Sequence, residues 1–221
     1  MNVYLHLYYN DFMQVTFKGY IPKEIPLVYK TAQSKKNTFA ILGSSKSSDK
    51  IMNYLDMCSN VVKGLMNSNK NIVHGCGTTG IMGAAHFAGV KYSKTNFDDK
   101  PEQNLGIITD VLYGNEDTEN CIMLTSAKSE ADRIDKFAEV ADTVIVFPGS
   151  VTTLQEAATL IQKNYYGKKE EQKKIILVGK EYFKGLNEQY QTLYKNGLIT
   201  CKPEELYTLV DSEKEIKALT E

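Results

Sequence analysis

The run Phe147-Pro148-Gly149-Ser150-Val151-Thr152-Thr153-Leu154-Gln155-Glu156 holds the densest chemistry in the chain. An apolar strand over 143–147 empties into a Pro-Gly turn followed by three hydroxyls, and a helix then opens with Gln155 and Glu156 in its first turn. Unpaired backbone N–H groups at a helix start favour an anion in front of them, so this turn reads as a phosphate pocket. A carboxylate repels the group such a pocket attracts. Glu156 is therefore the first candidate for chemistry. The structural alternative is a cap: if Thr152 or Thr153 starts the helix, Glu156 falls near the third helical position, where a capping box places Glu.

Arg133 is the second candidate. It stands early in a helix predicted over 129–140, within Ser129-Glu130-Ala131-Asp132-Arg133. The basic residues are overwhelmingly Lys, and an Arg near the loop face offers a planar fork for phosphate or ribose hydroxyls. A surface ion pair with Glu130 or Asp132 is the plainer use. Two further loops carry small residues. Gly43-Ser44-Ser45-Lys46-Ser47-Ser48 lets backbone approach a ligand and offers hydroxyls, although Ser48 as an N-cap before Asp49 accounts for part of it. His74-Gly75-Cys76-Gly77-Thr78-Thr79-Gly80-Ile81-Met82-Gly83 has the glycines of a tight turn leading into a helix. It resembles a dinucleotide fingerprint but does not follow the domain's first strand, and the acid expected about twenty residues on falls in a loop, which argues against a nicotinamide dinucleotide site.

These loops need a scaffold. Short apolar runs at 38–42, 71–74, 105–109, 121–125, 143–147 and 174–178 predict strands buried on both faces, with helices at 49–66, 79–88, 129–140, 152–163 and 182–196 and short helices at 203–209 and 213–219. The alternation predicts an α/β fold, a Rossmann-like doubly wound parallel sheet flanked by helices, over 38–221. In such sheets ligands bind beyond the strands' carboxyl ends, where loops containing Gly43, Gly75, Thr109, Thr125 and Gly149 converge, walled by 96–101 and 113–119. Residues 1–37 differ: Val3, Leu5, Leu7 and Tyr9 alternate with polar or aromatic neighbours, 15–20 offers a second strand, and Asn10-Asp11 a turn. They predict a hairpin or arm.

Composition narrows the class. With 26 basic and 27 acidic residues, a net charge of -1 gives no reason to expect a nucleic-acid polymer or a membrane as partner. The lysines at 168–169 and 173–174 are interleaved with Glu170, Glu171 and Gln172 and read as a solvated turn. Cys58, Cys76, Cys121 and Cys201 form no CxxC pair; their even number allows two disulfides, but three of them sit in or beside apolar segments, so free thiols in a reducing compartment are the plainer expectation. The first residues lack a basic leader, which together with the cysteines predicts a cytoplasmic protein. His6, His74 and His86 have no ligand spacing and no HExxH occurs, so no metal is expected; the absence of a strand-borne GxSxG argues against a serine hydrolase.

Taken together, these motifs resemble those of the LOG-like proteins, long labelled "lysine decarboxylase-like". Residues 74–83 resemble the family's YGGGxxGLMG element and 148–156 its PGGxGTxxE signature. The interval from Arg133 to Pro148, with Ala141-Asp142 before the strand, matches the family's arginine. Gly43-Ser44-Ser45 corresponds to its first-strand loop, Gly106-Ile107-Ile108 to its GVIP strand, and 174–200 to its KPI…FY…GFI ending. The likeness covers all but the N-terminal arm.

The resemblance implies a homodimeric phosphoribohydrolase. Such enzymes cut the N-glycosidic bond of nucleoside 5'-monophosphates such as AMP, releasing free base and ribose 5-phosphate, with no metal or other cofactor. Carried over, Arg133 and Glu156 form the catalytic pair. Nucleotide and phosphate contacts fall to Gly43, Ser44, Ser45, Gly75, Cys76, Gly77, Thr78, Met82, Pro148, Gly149, Ser150, Val151, Thr152 and Thr153. Glu156, kept ionised, would stabilise positive charge on the ribose or position water at the anomeric carbon. Three positions depart from the family: Ser150 for its second glycine, Thr152-Thr153 for its GT pair, and Cys76 for a middle glycine. Each added Cβ narrows a loop or opposes a positive φ. A non-catalytic carrier of a nucleotide or phosphorylated cofactor is therefore the competing expectation, followed by an oligomeric scaffold built on the arm. Amino-acid decarboxylation has no support, since no lysine sits in a recognisable pyridoxal-phosphate context.

Overall fold

The computed structural model describes residues 6–9, 13–16, 35–92, 103–109 and 123–221. Strands β1 (His6–Tyr9) and β2 (Met13–Thr16) pair antiparallel, with Tyr9 opposite Met13. The second strand comes earlier than the expected 15–20. The remaining residues of the arm up to 34, the proposed pocket walls at 96–101 and 113–119, and Cys121 lie outside the described residues.

The main sheet is built from β3 (Thr38–Leu42), β4 (Asn71–His74), β5 (Asn104–Thr109), β6 (Met123–Ala127), β7 (Thr143–Val146), β8 (Lys174–Val178) and β9 (Thr208–Val210). Its order is β6-β5-β4-β3-β7-β8-β9, and every pairing is parallel. The chain steps outward from β3 to β6, returns to β7 on β3's other side, and steps outward again. That is a doubly wound sheet with its switch point between β3 and β7.

The strands are apolar on both faces because both faces are covered. Ala40 and Leu42 of β3, Val144 and Val146 of β7, and Ile175 and Leu177 of β8 enter one core. Their neighbours Phe39, Ile41, Ile145, Phe147, Ile176 and Val178 enter the other, as the two-residue alternation of strand side chains requires. The first core is closed by α3 (Glu130–Val140) and α4 (Val151–Tyr166), with α5 (Lys184–Lys195) packed at its margin. The second is closed by α1 (Met52–Asn67), α2 (Gly80–Tyr92) and α6 (Glu213–Thr220). In α1 the buried residues Cys58, Val61, Val62, Leu65 and Met66 form one helical stripe.

Two element boundaries depart from expectation. The helix read over 203–209 is a single 3-10 turn, Pro203–Glu205, followed by β9. Pro203-Glu204-Glu205 carries the signature of a helix start, but Thr208–Val210 continues the sheet from β8, with Val210 in register with Val178. The strand expected over 121–125 is described over Met123–Ala127, so Thr125, expected at its end, lies within β6 opposite Ile107. Among the described residues no helix is long and apolar enough to cross a membrane.

Candidate functional site

At the switch point, the loops after β3 and β7 are joined by backbone. Phe147 N–H donates to Leu42 C=O at 2.9 Å, and Ser44 N–H donates to Pro148 C=O at 3.1 Å. The loop after β4 is tied to the same place. Met82 N–H donates to Ser44 C=O at 3.1 Å, Gly80 N–H donates to the Ser47 hydroxyl at 3.2 Å, and the Thr79 hydroxyl donates to Ser45 C=O. Gly80 has φ +63, and a side chain there would strike the Ser44 carbonyl. The three Ser- and Gly-bearing loops thus form one cluster at the strand ends.

Within it, many of the hydroxyls already have partners. Ser44 accepts from Lys46 N–H and donates to Lys46 C=O, both at 2.9 Å, and Ser48 caps the turn Asp49–Ile51. Gly75, Cys76 and Gly77 are buried, Thr78 and Met82 half-buried, and Gly77 lies against Met82. The exposed rim consists of Ser150, Val151 and Thr152, with Gly149 half-buried and Thr153 buried behind it.

Helix α4 begins earlier than its sequence suggests. Its N-cap is Ser150, whose side chain makes no capping bond, and Val151 is the first helical residue. Leu154 N–H is bonded to Ser150 C=O, whereas the N–H groups of Val151, Thr152 and Thr153 have no acceptor among the described residues. These are the donors that an anion at a helix start uses. Glu156 therefore sits in the second turn, not the first, which removes the capping-box alternative. Side chains on a helix lean toward its N-terminus, so Glu156 lies over the face of Thr152 and Thr153.

Glu156 is 5 % exposed and has no hydrogen bond or ion pair with any described residue. Burial pushes its carboxyl up to about 7; the Arg133 guanidinium pulls it down, and Glu130 pushes it up again. Burial thus works against the ionised form that the sequence led us to expect of Glu156.

Arg133 is anchored by all three of its nitrogens. Nε donates to Ile107 C=O at 2.9 Å, Nη2 to Gly75 C=O at 3.3 Å, and Nη1 to Glu130 Oε2 at 3.4 Å. Its Cζ stands 5.6 Å from the Phe137 ring centre. The expected ion pair is made with Glu130; Asp132 instead accepts from Lys128 N–H at 2.8 Å and faces Lys136 at 3.8 Å. Gly75 has to be glycine for this, since an added Cβ would overlap Nη2 of Arg133 and the Met82 methyl.

The three departures from glycine behave differently. Cys76 does adopt the left-handed region, with φ +55, a conformation that costs a residue with a Cβ roughly 1–2 kcal/mol. Ser150 is extended and Thr152 and Thr153 are helical, so none of these needs glycine's freedom. Cys76 is also disulfide-bonded, whereas Cys58 and Cys201 are free, which corrects the expectation of four free thiols. Spacing along the chain says nothing about cysteines brought together by the fold.

The donor atoms of His74, Cys76 and His86 lie within 4.8 Å of one another. That grouping is occupied by the protein's own bonds. His74 Nδ1 accepts from Cys76 N–H at 3.0 Å and Nε2 meets Asn104 Oδ1 at 2.6 Å, which assigns the neutral ring with its proton on Nε2. Burial, then His86, hold the ring down at about 3, and the Cys76 sulfur is in a disulfide. His74 is a satisfied core histidine.

Reading the sequence missed Tyr182, which follows β8. Its hydroxyl accepts from Gly149 N–H at 3.3 Å and donates to Gly149 C=O. The only hint was its place just beyond an apolar strand.

Residues 82–219 match the family model described as "Possible lysine decarboxylase". The chain belongs to that family, the LOG-like proteins. No curated protein matches it by sequence. Among solved structures, the fold is similar to that of the molybdenum cofactor carrier protein of Chlamydomonas reinhardtii, with TM-score 0.56 and 13% identity over 82% of this chain and 94% of that one. The molybdenum cofactor binding protein of Rippkaea orientalis gives 0.56 and 15% over 82% and 93%. DNA processing protein A of Helicobacter pylori, described with a single-stranded DNA binding mode, gives 0.52 and 12% over 84% and 80%. At these identities the likeness is one of fold.

Proposed function

We propose that this LOG-like protein binds the phosphate of a nucleotide or phosphorylated cofactor at the start of α4 and carries it without cleaving it. The observation that supports this most is the uncapped helix start beside Gly149, where three amides have no acceptor among the described residues. Arg133 fits holding better than chemistry, because each of its nitrogens already serves Ile107, Gly75 or Glu130. Two fold neighbours are described as a cofactor carrier and a cofactor-binding protein, which favours the same reading.

A second reading, hydrolysis of nucleoside 5'-monophosphates such as AMP, is favoured by Glu156. A buried carboxyl without a partner is costly, and one held up to about 7 is matched to proton transfer at neutral pH. In that reading Glu156 exchanges a proton with the leaving base or the attacking water, and Arg133 orients the loop that holds the sugar. One experiment separates the two: pure protein is titrated calorimetrically with AMP and the same mixture assayed for free adenine. Binding without base supports the carrier; base release that disappears in Glu156→Gln supports the hydrolase; neither binding nor release sinks both.

We infer that the protein is a homodimer with no membrane or nucleic-acid partner. Support for pairing comes from α4, which exposes Val151, Leu154 and Tyr166, the last on the wall of two grooves of about 400 and 290 Å³. Mass in solution by light scattering tests it, with a monomer at micromolar concentration counting against it. The near-zero net charge offers no electrostatic footprint for DNA.

A further inference from the structure

The acid inside the anion pocket has an explanation in its neighbours. Glu130, the first residue of α3, is 30% exposed at its side chain and pairs with Nη1 of Arg133 at 3.4 Å, while Nε and Nη2 are fixed on Ile107 and Gly75. No ion pair joins Arg133 to Glu156. The buried Glu156, without a hydrogen-bond partner among the described residues, lies one turn beyond the first turn of α4, whose amides lack acceptors among the same residues. An ionised carboxylate there repels a phosphate; a neutral carboxylic acid donates a hydrogen bond to it.

We propose that Glu130 is a positioning residue of this site: by engaging Arg133 it keeps the guanidinium from drawing Glu156 into its charged form, so that Glu156 faces the bound phosphate as a neutral donor. The inference rests on the reading of the α4 start as a phosphate site. Among the described residues, the other charged groups on the elements around Glu156 have partners or lie in solvent. On α3, Asp132 is bonded to Lys128 N–H and Lys136, and Asp135 pairs with Lys163 of α4 at 2.7 Å. The β4 loop offers only His74, neutral and bonded to Asn104, and the β3 loop only the exposed Lys46. The loop after β8 offers Tyr182, bound to Gly149. Of the described residues, that leaves Glu130 and Arg133 as the opposing charges, and Glu130's negative charge acts on Glu156 in the direction of protonation.

The test is the titration of the Glu156 carboxyl by carbon-13 NMR, assigned through Glu156→Gln, in the wild type, Glu130→Gln and Glu130→Asp. The wild-type midpoint is expected at about 7. Glu130→Gln is expected to lower it by about one pH unit, a tenfold change in proton affinity, and Glu130→Asp to restore it. A midpoint in Glu130→Gln that is unchanged or raised overturns the positioning role. This readout needs no ligand, so AMP calorimetry at pH 6 and pH 8 runs beside it. A lowered midpoint with no AMP binding leaves the positioning role standing and overturns the anion site. AMP binding that is equal at both pH values overturns the neutral-donor role, and binding that weakens at pH 8 supports it. Thermal melts control for folding; Glu130 is partly exposed in a first helical turn, and Glu130→Ala serves as the second variant if Gln is poorly tolerated.

Discussion

The Tyr182 hydroxyl clasps Gly149 from both sides, accepting from its N–H at 3.3 Å and donating to its C=O. This amide lies next to the α4 amides that have no acceptor among the described residues, so a ligand that uses it has to displace the phenol first. Tyr182→Phe is expected to raise the affinity for inorganic phosphate or AMP by about three- to tenfold, the worth of one hydrogen bond that no longer competes. Its Tm is expected to change little, because Tyr182 is 41% exposed. Calorimetry on both proteins checks this. A fall in affinity would instead make the hydroxyl part of the ligand's binding surface.

Gly149 is pinned from its other side by Thr153. A Cβ on Gly149 would overlap the Thr153 hydroxyl and lie against its other side-chain atoms, and Thr153 is 2% exposed with little room to turn. Gly149→Ala should therefore cost about 1–3 kcal/mol of stability and shift the turn that aims the α4 amides. Urea unfolding, together with phosphate binding, measures both effects. Full stability with full binding in the variant would show that the turn adjusts freely.

Glu156 makes stability depend on pH in a defined direction. Its value in the fold is raised from an ordinary 4.5 to about 7, so the folded state holds a proton that the unfolded chain has released. The favourable contribution is complete below about pH 4.5 and is lost as pH rises through about 7, amounting to roughly 3 kcal/mol. Glu156→Gln carries no charge to bury. It should match the wild type most closely at pH 4 and be the more stable of the two at pH 8 by urea denaturation. A variant weaker than the wild type at pH 8 would mean that the ionised carboxylate has a partner in the folded protein.

The sheet was legible because its strands are short apolar runs buried on both faces, and the glycine spacing of 74–83 and 147–149 marked the turns that meet at β3 and β7. What escaped reading depends on partners distant in sequence or on backbone. Thr208–Val210 is a strand only because β8 lies beside it. Gln155 and Glu156 looked like first-turn residues because Thr152 and Thr153 are better capping types than an extended Ser150 that makes no cap bond. Arg133 suggested a ligand fork because sequence shows side chains, whereas two of its acceptors are main-chain carbonyls at Gly75 and Ile107. Tyr182 reaches Gly149 across 33 residues without any motif joining them.

Arg133 itself provides the complementary test of the site's electrostatics. Arg133→Met keeps an unbranched chain beside Phe137 but removes the charge and the donors to Ile107, Gly75 and Glu130. Because the guanidinium draws Glu156 toward its ionised form, the variant's Glu156 midpoint should rise above the wild-type value of about 7, opposite in sign to the effect of Glu130→Gln. Releasing the Gly75 carbonyl should also speed amide exchange through Cys76 and Gly77 and lower stability by about 1–3 kcal/mol. Arg133→Lys keeps the charge but cannot serve three acceptors, so it should show the faster exchange with a smaller shift in the midpoint. Should Arg133→Met leave the Glu156 midpoint in place, the two groups are not electrically coupled, and the buried acid owes its raised value to desolvation and Glu130 alone.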